Sequence, residues 1–157
     1  MSTSTWTSPV SGSWANDSLW AGGLPNDTAA KAVITQAGAA HTVTIAAGNT
    51  FTVASFDQGG SSVLSVAGEL LHAGGGSSGD AITVQSGGTL RGAGSFTMRG
   101  GSFTNAGLLH ADAGTFLYIT KAFGFPDVTV SNTGTFRATG NGSNVTLDGV
   151  VFTNIAG

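Results

Sequence analysis

One phrase returns along this chain and limits what it can become. It reads Ser102-Phe103-Thr104-Asn105-Ala106-Gly107-Leu108-Leu109-His110-Ala111, then again Val130-Ser131-Asn132-Thr133-Gly134-Thr135-Phe136-Arg137-Ala138. It begins a third time at Phe152-Thr153-Asn154-Ile155-Ala156-Gly157. A looser form without Asn occurs at Val66-Ala67-Gly68-Glu69-Leu70 and at Gln85-Ser86-Gly87-Gly88-Thr89-Leu90. A phrase repeated at a near-constant interval marks a stacked fold in which each unit contacts only its neighbours.

The interval is informative. Gly68 and Gly88 are 20 residues apart, and Gly88 and Gly107 are 19 apart. Gly107 and Gly134 are 27 apart, and the excess is assigned to the seven residues 121–127. Asn132 and Asn154 are 22 apart. Between the glycine corners lie short segments with alternating apolar residues, such as Thr42-Val43-Thr44-Ile45 and Ile82-Thr83-Val84. Such alternation puts one strand face inward and the other outward. Roughly 20 residues carrying three short strands is one coil of a single-stranded parallel β-helix, and residues 33–157 would supply about six coils. Crossover connections favour the right-handed form. The alternative all-β architecture, an antiparallel sandwich, needs hairpin turns of the Asn-Gly or Asp-Gly kind. Only Asn141-Gly142 and Asp148-Gly149 qualify.

Residues 1–32 are different. They hold all three tryptophans, Trp6, Trp14 and Trp20, and the turn-rich Gly22-Gly23-Leu24-Pro25-Asn26-Asp27. A stacked fold exposes core and unpaired backbone at its ends, so terminal units are atypical. The segment is read as an N-terminal cap whose indoles cover the first coil. The competing reading is an aromatic sugar-binding platform.

Composition supports the all-β reading and narrows the function. Gly accounts for 26 of 157 residues, and only 8% of residues are charged. The net charge of -3 and the lack of any basic run leave no clustered positive field for nucleic acid. No apolar run is long enough for a membrane helix. Cys is absent, which excludes disulfides and thiolate metal sites. Met1-Ser2-Thr3-Ser4-Thr5-Trp6 has neither a basic n-region nor an apolar h-region, so the expectation is a trimmed chain or an export route without an N-terminal signal.

The Asn-x-Gly-x-apolar phrase at Asn105-Ala106-Gly107-Leu108-Leu109 and Asn132-Thr133-Gly134-Thr135-Phe136 resembles the repeats of filamentous-haemagglutinin-type adhesins and autotransporter passenger domains. The opening Gly12-Ser13-Trp14, Leu19-Trp20 and Gly23-Leu24-Pro25 is similar to the Trp-rich entry of large secreted bacterial β-solenoid proteins. The resemblance implies a bacterial adhesin-type β-solenoid in an extracellular or cell-surface setting, and it transfers no catalytic residue.

Candidate chemistry is sparse. No two acids form a local pair, and most sit beside Gly, Asn or Pro, where turn capping explains them. No catalytic, cofactor-binding or metal-binding residue is assigned, and the chain is read as non-enzymatic. His41, His72 and His110 are far apart and are read as solvated; His72 and His110 each follow a Leu-Leu pair and are expected on similar corners. Gly74-Gly75-Gly76-Ser77-Ser78-Gly79-Asp80 lacks the repeated register of calcium-binding nonapeptides and is read as a flexible corner. Thr42, Thr44 and Thr52 suggest a threonine face, but the pattern is not sustained along the sequence.

Three places remain as candidates. Asn105, Asn132 and Asn154, with Gly107 and Gly134, are read as coil-corner residues. The Asn side chains either form an axial ladder or serve their own corners in a left-handed conformation. The insertion at 121–127 carries Lys121, Phe123, Phe125 and Asp127; its phenylalanines either contact a partner or fold back on the side of the fold. The chain stops at the entry to another coil without a visible cap. The expected partners are therefore copies of itself stacked end to end, or flanking coils of a longer chain, with a surface glycan as a further possibility. Carbohydrate binding or cleavage is the second function class.

Overall fold

The computed structural model describes residues 2–78 and 81–155. The chain enters through β1 (Ser2–Trp6), β2 (Gly12–Ser13), β3 (Trp20–Ala21) and β4 (Asp27–Ile34), then β5 (His41–Ile45) and the long β6 (Thr50–Gln58). Three-strand sets follow. The first is β7 (Ser62–Val66), β8 (Glu69–His72) and β9 (Gly75–Ser78); the second is β10 (Ala81–Val84), β11 (Thr89–Gly92) and β12 (Gly94–Met98). The third is β13 (Ser102–Asn105), β14 (Leu108–Ala111) and β15 (Phe116–Lys121), and the fourth is β16 (Val128–Asn132), β17 (Thr135–Ala138) and β18 (Asn144–Asp148). Strand β19 (Val150–Asn154) follows them.

The pairing is parallel, with each strand from β7 to β16 joined to the one three places later. One sheet has seven strands in the order β19-β16-β13-β10-β7-β5-β2. The other has twelve, and its main path is β17-β14-β11-β8-β6-β9-β12-β15-β18. Strand β6 is the branch point: Thr50–Val53 pairs with β8, and Phe56–Gln58 with β9. The hairpin-based sandwich is thereby excluded, since among the described residues the one antiparallel pair is β1 with β3.

The registers explain the sequence pattern. On β8, β11 and β14 the inward residues Leu70, Leu90 and Leu109 stack over Phe51. In the seven-stranded sheet Val43, Leu64, Ile82, Phe103 and Val130 form another inward lane, all fully buried. Gly76 lies in register between Phe56 and Phe96, and because it has no side chain the two rings meet across it at 5.2 Å. Each such lane removes apolar area from water at roughly 25 cal/mol per Å².

The corner glycines have a specific cause. Gly68, Gly88, Gly107 and Gly134 do not adopt the left-handed conformation. A Cβ on Gly134 would instead collide with the carbonyl oxygen of Gly107, and one on Gly107 with that of Gly88. Close backbone stacking, not turn geometry, requires glycine there.

Residues 2–34 close one end. Trp6, Trp14 and Trp20 are 0%, 0% and 4% exposed, so they offer no sugar platform. Trp20 meets Trp6 edge-on at 5.0 Å and Trp14 at 4.9 Å, and Trp14 leans on Phe51. Each indole N–H donates to a carbonyl: Trp6 to Val10, Trp14 to Pro25, Trp20 to Trp14. Strand β4 runs across the boundary drawn at residue 32 and joins β1 to β6.

Two expectations are corrected. Gly75–Ser78, read as part of a flexible corner, is strand β9, paired with β6 and β12; Asp80 lies outside the described residues. The 27-residue interval is not one insertion of seven. Partner spacing is 19 between β11 and β14 (Leu90 with Leu109), 23 between β12 and β15 (Phe96 with Ile119) and 27 between β13 and β16 (Phe103 with Val130). Four residues therefore enter the corner before β15 and four more the corner after it.

Candidate functional site

The first candidate is the end of the fold formed by β17, β18 and β19. In the described residues these strands have partners on one side only. Phe152 occupies the inward lane of Phe103 and Val130, yet it is 45% exposed, because no described strand lies beyond it. Phe136, Val145, Leu147 and Val150 are half-buried against the same core, and Phe136 and Phe152 are 5.8 Å apart. Val151 and Ile155 are exposed as well.

The same end carries the asparagines. Asn105 Nδ2 donates to Asn132 Oδ1 at 2.8 Å, and Asn132 Nδ2 donates to Asn154 Oδ1 at 2.7 Å. Each also donates to a carbonyl: Asn105 to Thr135 and Asn132 to Gly134. Asn105 is fully buried and Asn132 nearly so. The ladder is therefore real. The left-handed alternative is excluded, since Ser61 is the one described non-glycine residue with positive φ. Below the ladder the same lane is aliphatic, with Ile45, Val66 and Val84 in register with Asn105. The ladder thus runs toward the open edge.

The second candidate is the pair of longer corners. Lys121 is the last residue of β15 and makes a 2.6 Å ion pair with Asp127, which spans the second insert. The Lys121 ammonium holds the Asp127 carboxyl below its ordinary range. Phe123 is fully exposed and Phe125 is 44% exposed. Neither is fully covered by the side of the fold. A cleft of about 540 Å³ lies among residues 121–125 and Gly149, because the next repeat turns this corner with Gly149 alone.

The first insert makes a step that sequence reasoning missed. Strands β11 and β12 are joined by Ala93 alone, whereas β14 and β15 are joined by residues 112–115. A cleft of about 450 Å³ sits at the step, lined by Ala93, Gly94, Ser95, Gly114, Thr115, Phe116 and Tyr118. Phe116 and Tyr118 project outward from β15 with ring centroids 6.1 Å apart and planes 29° apart. The signal was present in the sequence. Phe116-Leu117-Tyr118-Ile119 has no polar alternate, so an outward face there must be aromatic.

A charged cluster crosses β8, β11 and the corner after β14. Arg91 contacts Glu69 at 3.2 Å and Asp112 at 3.1 Å, and His110 lies 3.8 Å from Asp112 while its Nε2 meets Thr139 Oγ1 at 2.9 Å. Partial burial would lower the Arg91 pKa, but Asp112 and Glu69 outweigh it and the pKa is raised. One cation between two anions differs from glycosidase geometry, where two carboxyls face each other across open space.

The histidines depart from expectation. His72 and His41 are 0% and 2% exposed, not solvated. Leu71 pairs with Arg91, and Arg91 with His110, so the two Leu-Leu-His segments are out of register by one residue. A one-residue slip exchanges strand faces: His72 points inward and His110 outward. Neither ring nitrogen of His72 makes a well-formed hydrogen bond, its approach to the Ala93 backbone being weak, and the ring lies 4.2 Å from that of Phe96. Burial pushes its pKa down to about 3, partly opposed by the Ala93 backbone.

The hydroxyl pattern is also fuller than the sequence suggested. One outward position of the seven-stranded sheet is Ser or Thr in every strand: Ser13, Thr44, Ser65, Thr83, Thr104, Ser131 and Thr153. Serines hide the row from a search for threonine.

Among the described residues no group of three His, Cys, Asp or Glu is placed to hold a metal, and no helix is long and apolar enough to cross a membrane. The chain matches no family model, and no curated protein or solved structure matches it.

Proposed function

We propose that this chain is a structural and adhesive β-solenoid, non-catalytic, and that its open edge receives a further three-strand repeat built on the same phrase. The pairing of every third strand supports a parallel β-helix, and crossover chirality favours the right-handed form. The resemblance to filamentous-haemagglutinin and autotransporter repeats supports an extracellular or cell-surface setting.

The observation that carries the reading is the edge at Asn154. The ladder runs upward by donation, and the apolar lanes beneath it stay uncovered at Phe152 and Phe136. A parallel strand with an apolar residue over Phe152 and an Asn over Asn154 would satisfy both. Among the two sources of such a strand, flanking repeats fit better than a second copy stacked head to tail. The opposite end of the fold presents the two-residue β2 and the antiparallel β3, and Trp14 follows the Ser13–Thr44 pair in the lane where Asn is wanted.

The test is a chain with residues 128–154 duplicated after Asn154. The expected result is a higher Tm and loss of surface hydrophobic-dye binding. An unchanged or lower Tm with dye binding retained would sink the proposal. Sedimentation of the unmodified chain separates the two sources: a monomer at high concentration supports flanking repeats, and a concentration-dependent series of oligomers supports self-stacking.

A further inference from the structure

We infer that the step at Phe116 and Tyr118 is a binding site for a neutral sugar ring of a glycan. This deepens the adhesive half of the proposed function by giving it a ligand class and a place. It does not depend on what covers the open edge.

The argument begins with what the cleft contains. Gly94 and Ser95 of β12 contribute the small residues of its lining. Its other side is the corner at Gly114 and Thr115, which is four residues longer in register than the single-residue corner at Ala93 that also lines the cleft. Beside that corner, Phe116 and Tyr118 of β15 present two aromatic rings whose planes are 29° apart. Phe116 is 46% exposed, a costly arrangement for a side chain with no covering partner in the described residues.

The polar groups are placed beside the rings. Ser95 pairs directly with Tyr118 across the ladder, so the two side chains leave the same face of the sheet from backbones roughly 4.8 Å apart, the tyrosine hydroxyl reaching further out than that of the serine. Neither hydroxyl makes a hydrogen bond within the described residues. Thr115, in contrast, already uses its hydroxyl on the carbonyls of Asp112 and Gly92. No charged side chain lines the cleft.

Those features select a ligand. A charged ligand would find no counter-charge in the lining. A purely apolar one would cover the free hydroxyls of Ser95 and Tyr118 and leave them unpaired, which costs free energy. A pyranose ring has one C–H-rich face, which suits an aromatic surface, and equatorial hydroxyls around its rim, which suit Ser95 and Tyr118. The cleft is also within the size range of small-ligand sites. Asp112, in the same corner as Gly114 and Thr115, is engaged with Arg91.

The experiment is saturation-transfer NMR and calorimetry with neutral gluco-, manno- and galacto-hexasaccharides, alongside a sulfated hexasaccharide as the charged control. At least one neutral sugar should bind, and the sulfated one should bind no better. Phe116→Ala and Tyr118→Ala should each weaken binding by about tenfold or more, with Tm unchanged because both side chains project outward. Ser95→Ala should weaken it by less, and Phe123→Ala, on the other insert, should leave it unchanged. Absence of binding by every neutral sugar at millimolar concentration would overturn the assignment. So would binding that survives Phe116→Ala and Tyr118→Ala in folded protein, or binding confined to the sulfated sugar. These outcomes leave the repeat-duplication result untouched, so failure here and failure of the structural reading are separable.

Discussion

Asn105 gives its side-chain N–H to Asn132 at 2.8 Å and leaves its own Oδ1 buried without a partner. The residue in register beneath it is Val84, which has no donor to offer. The ladder therefore starts with an unsatisfied acceptor at its foot and ends at Asn154, at the open edge. Such an arrangement adds directionality to the stack without adding much net stability, since buried polar groups gain little when paired and cost much when not.

Truncating the middle of the ladder should therefore be worse than removing all of it. Asn132→Ala leaves the buried Asn105 amide short of an acceptor and should cost about 2–3 kcal/mol in urea unfolding. Replacing Asn105, Asn132 and Asn154 together by Val continues the lane of Ile45, Val66 and Val84. That triple variant should be at least as stable as the parent. Equal losses in the single and triple variants would contradict this account.

His72 should make the protein acid-sensitive. Its pKa is about 3 when folded and near the ordinary 6.5 when unfolded. The unfolded chain therefore takes up a proton first as pH falls. The stability due to the neutral ring is complete above pH 6.5 and is lost progressively down to about pH 3, by about 5 kcal/mol in all. His72→Leu should flatten that limb of the stability–pH curve. An unaltered limb in the variant would assign the acid sensitivity elsewhere.

Gly107→Ala tests the backbone stacking at the corners. Its new methyl would meet the Gly88 carbonyl oxygen, which is fixed by a hydrogen bond from Leu108 N. A loss of about 3 kcal/mol or more is expected, or failure to fold. The same substitution at Gly88 should behave alike, because it meets the Val66 carbonyl. A neutral result at both would mean that the repeats are spaced more loosely.

The 121–127 corner should be separable from folding. Phe123→Ser removes a fully exposed ring and should leave Tm within error of the parent. Asp127→Asn removes the exposed partner of Lys121 and should change the loop's proteolytic susceptibility, not the global transition. A drop in Tm for Phe123→Ser would show that the ring covers core in solution.

Much of the architecture was legible because strand alternation and a repeated glycine phrase are local properties. The alternating apolar positions of the repeated phrase and the unusual tryptophan-rich start of the chain could be read from residue types and spacing alone. Register was not legible. Leu70-Leu71-His72 and Leu108-Leu109-His110 read alike, yet one is shifted by a residue, and the shift buries one histidine while exposing the other. Counting glycine intervals likewise merged two four-residue inserts into one, because an interval does not say in which corner its extra residues fall.

The sequence by itself determined an all-β chain of short strands, repeated at about 20 residues. It did so because period-two alternation and close-packed glycines act within a strand or a corner. Only the tertiary structure decided which residues meet across repeats: Asn105 with Asn132, Glu69 and Asp112 on Arg91, and Ser95 beside Tyr118. Those pairs lie 20 or more residues apart, and their meeting depends on the ladder register, which is fixed by the cumulative lengths of every corner between them.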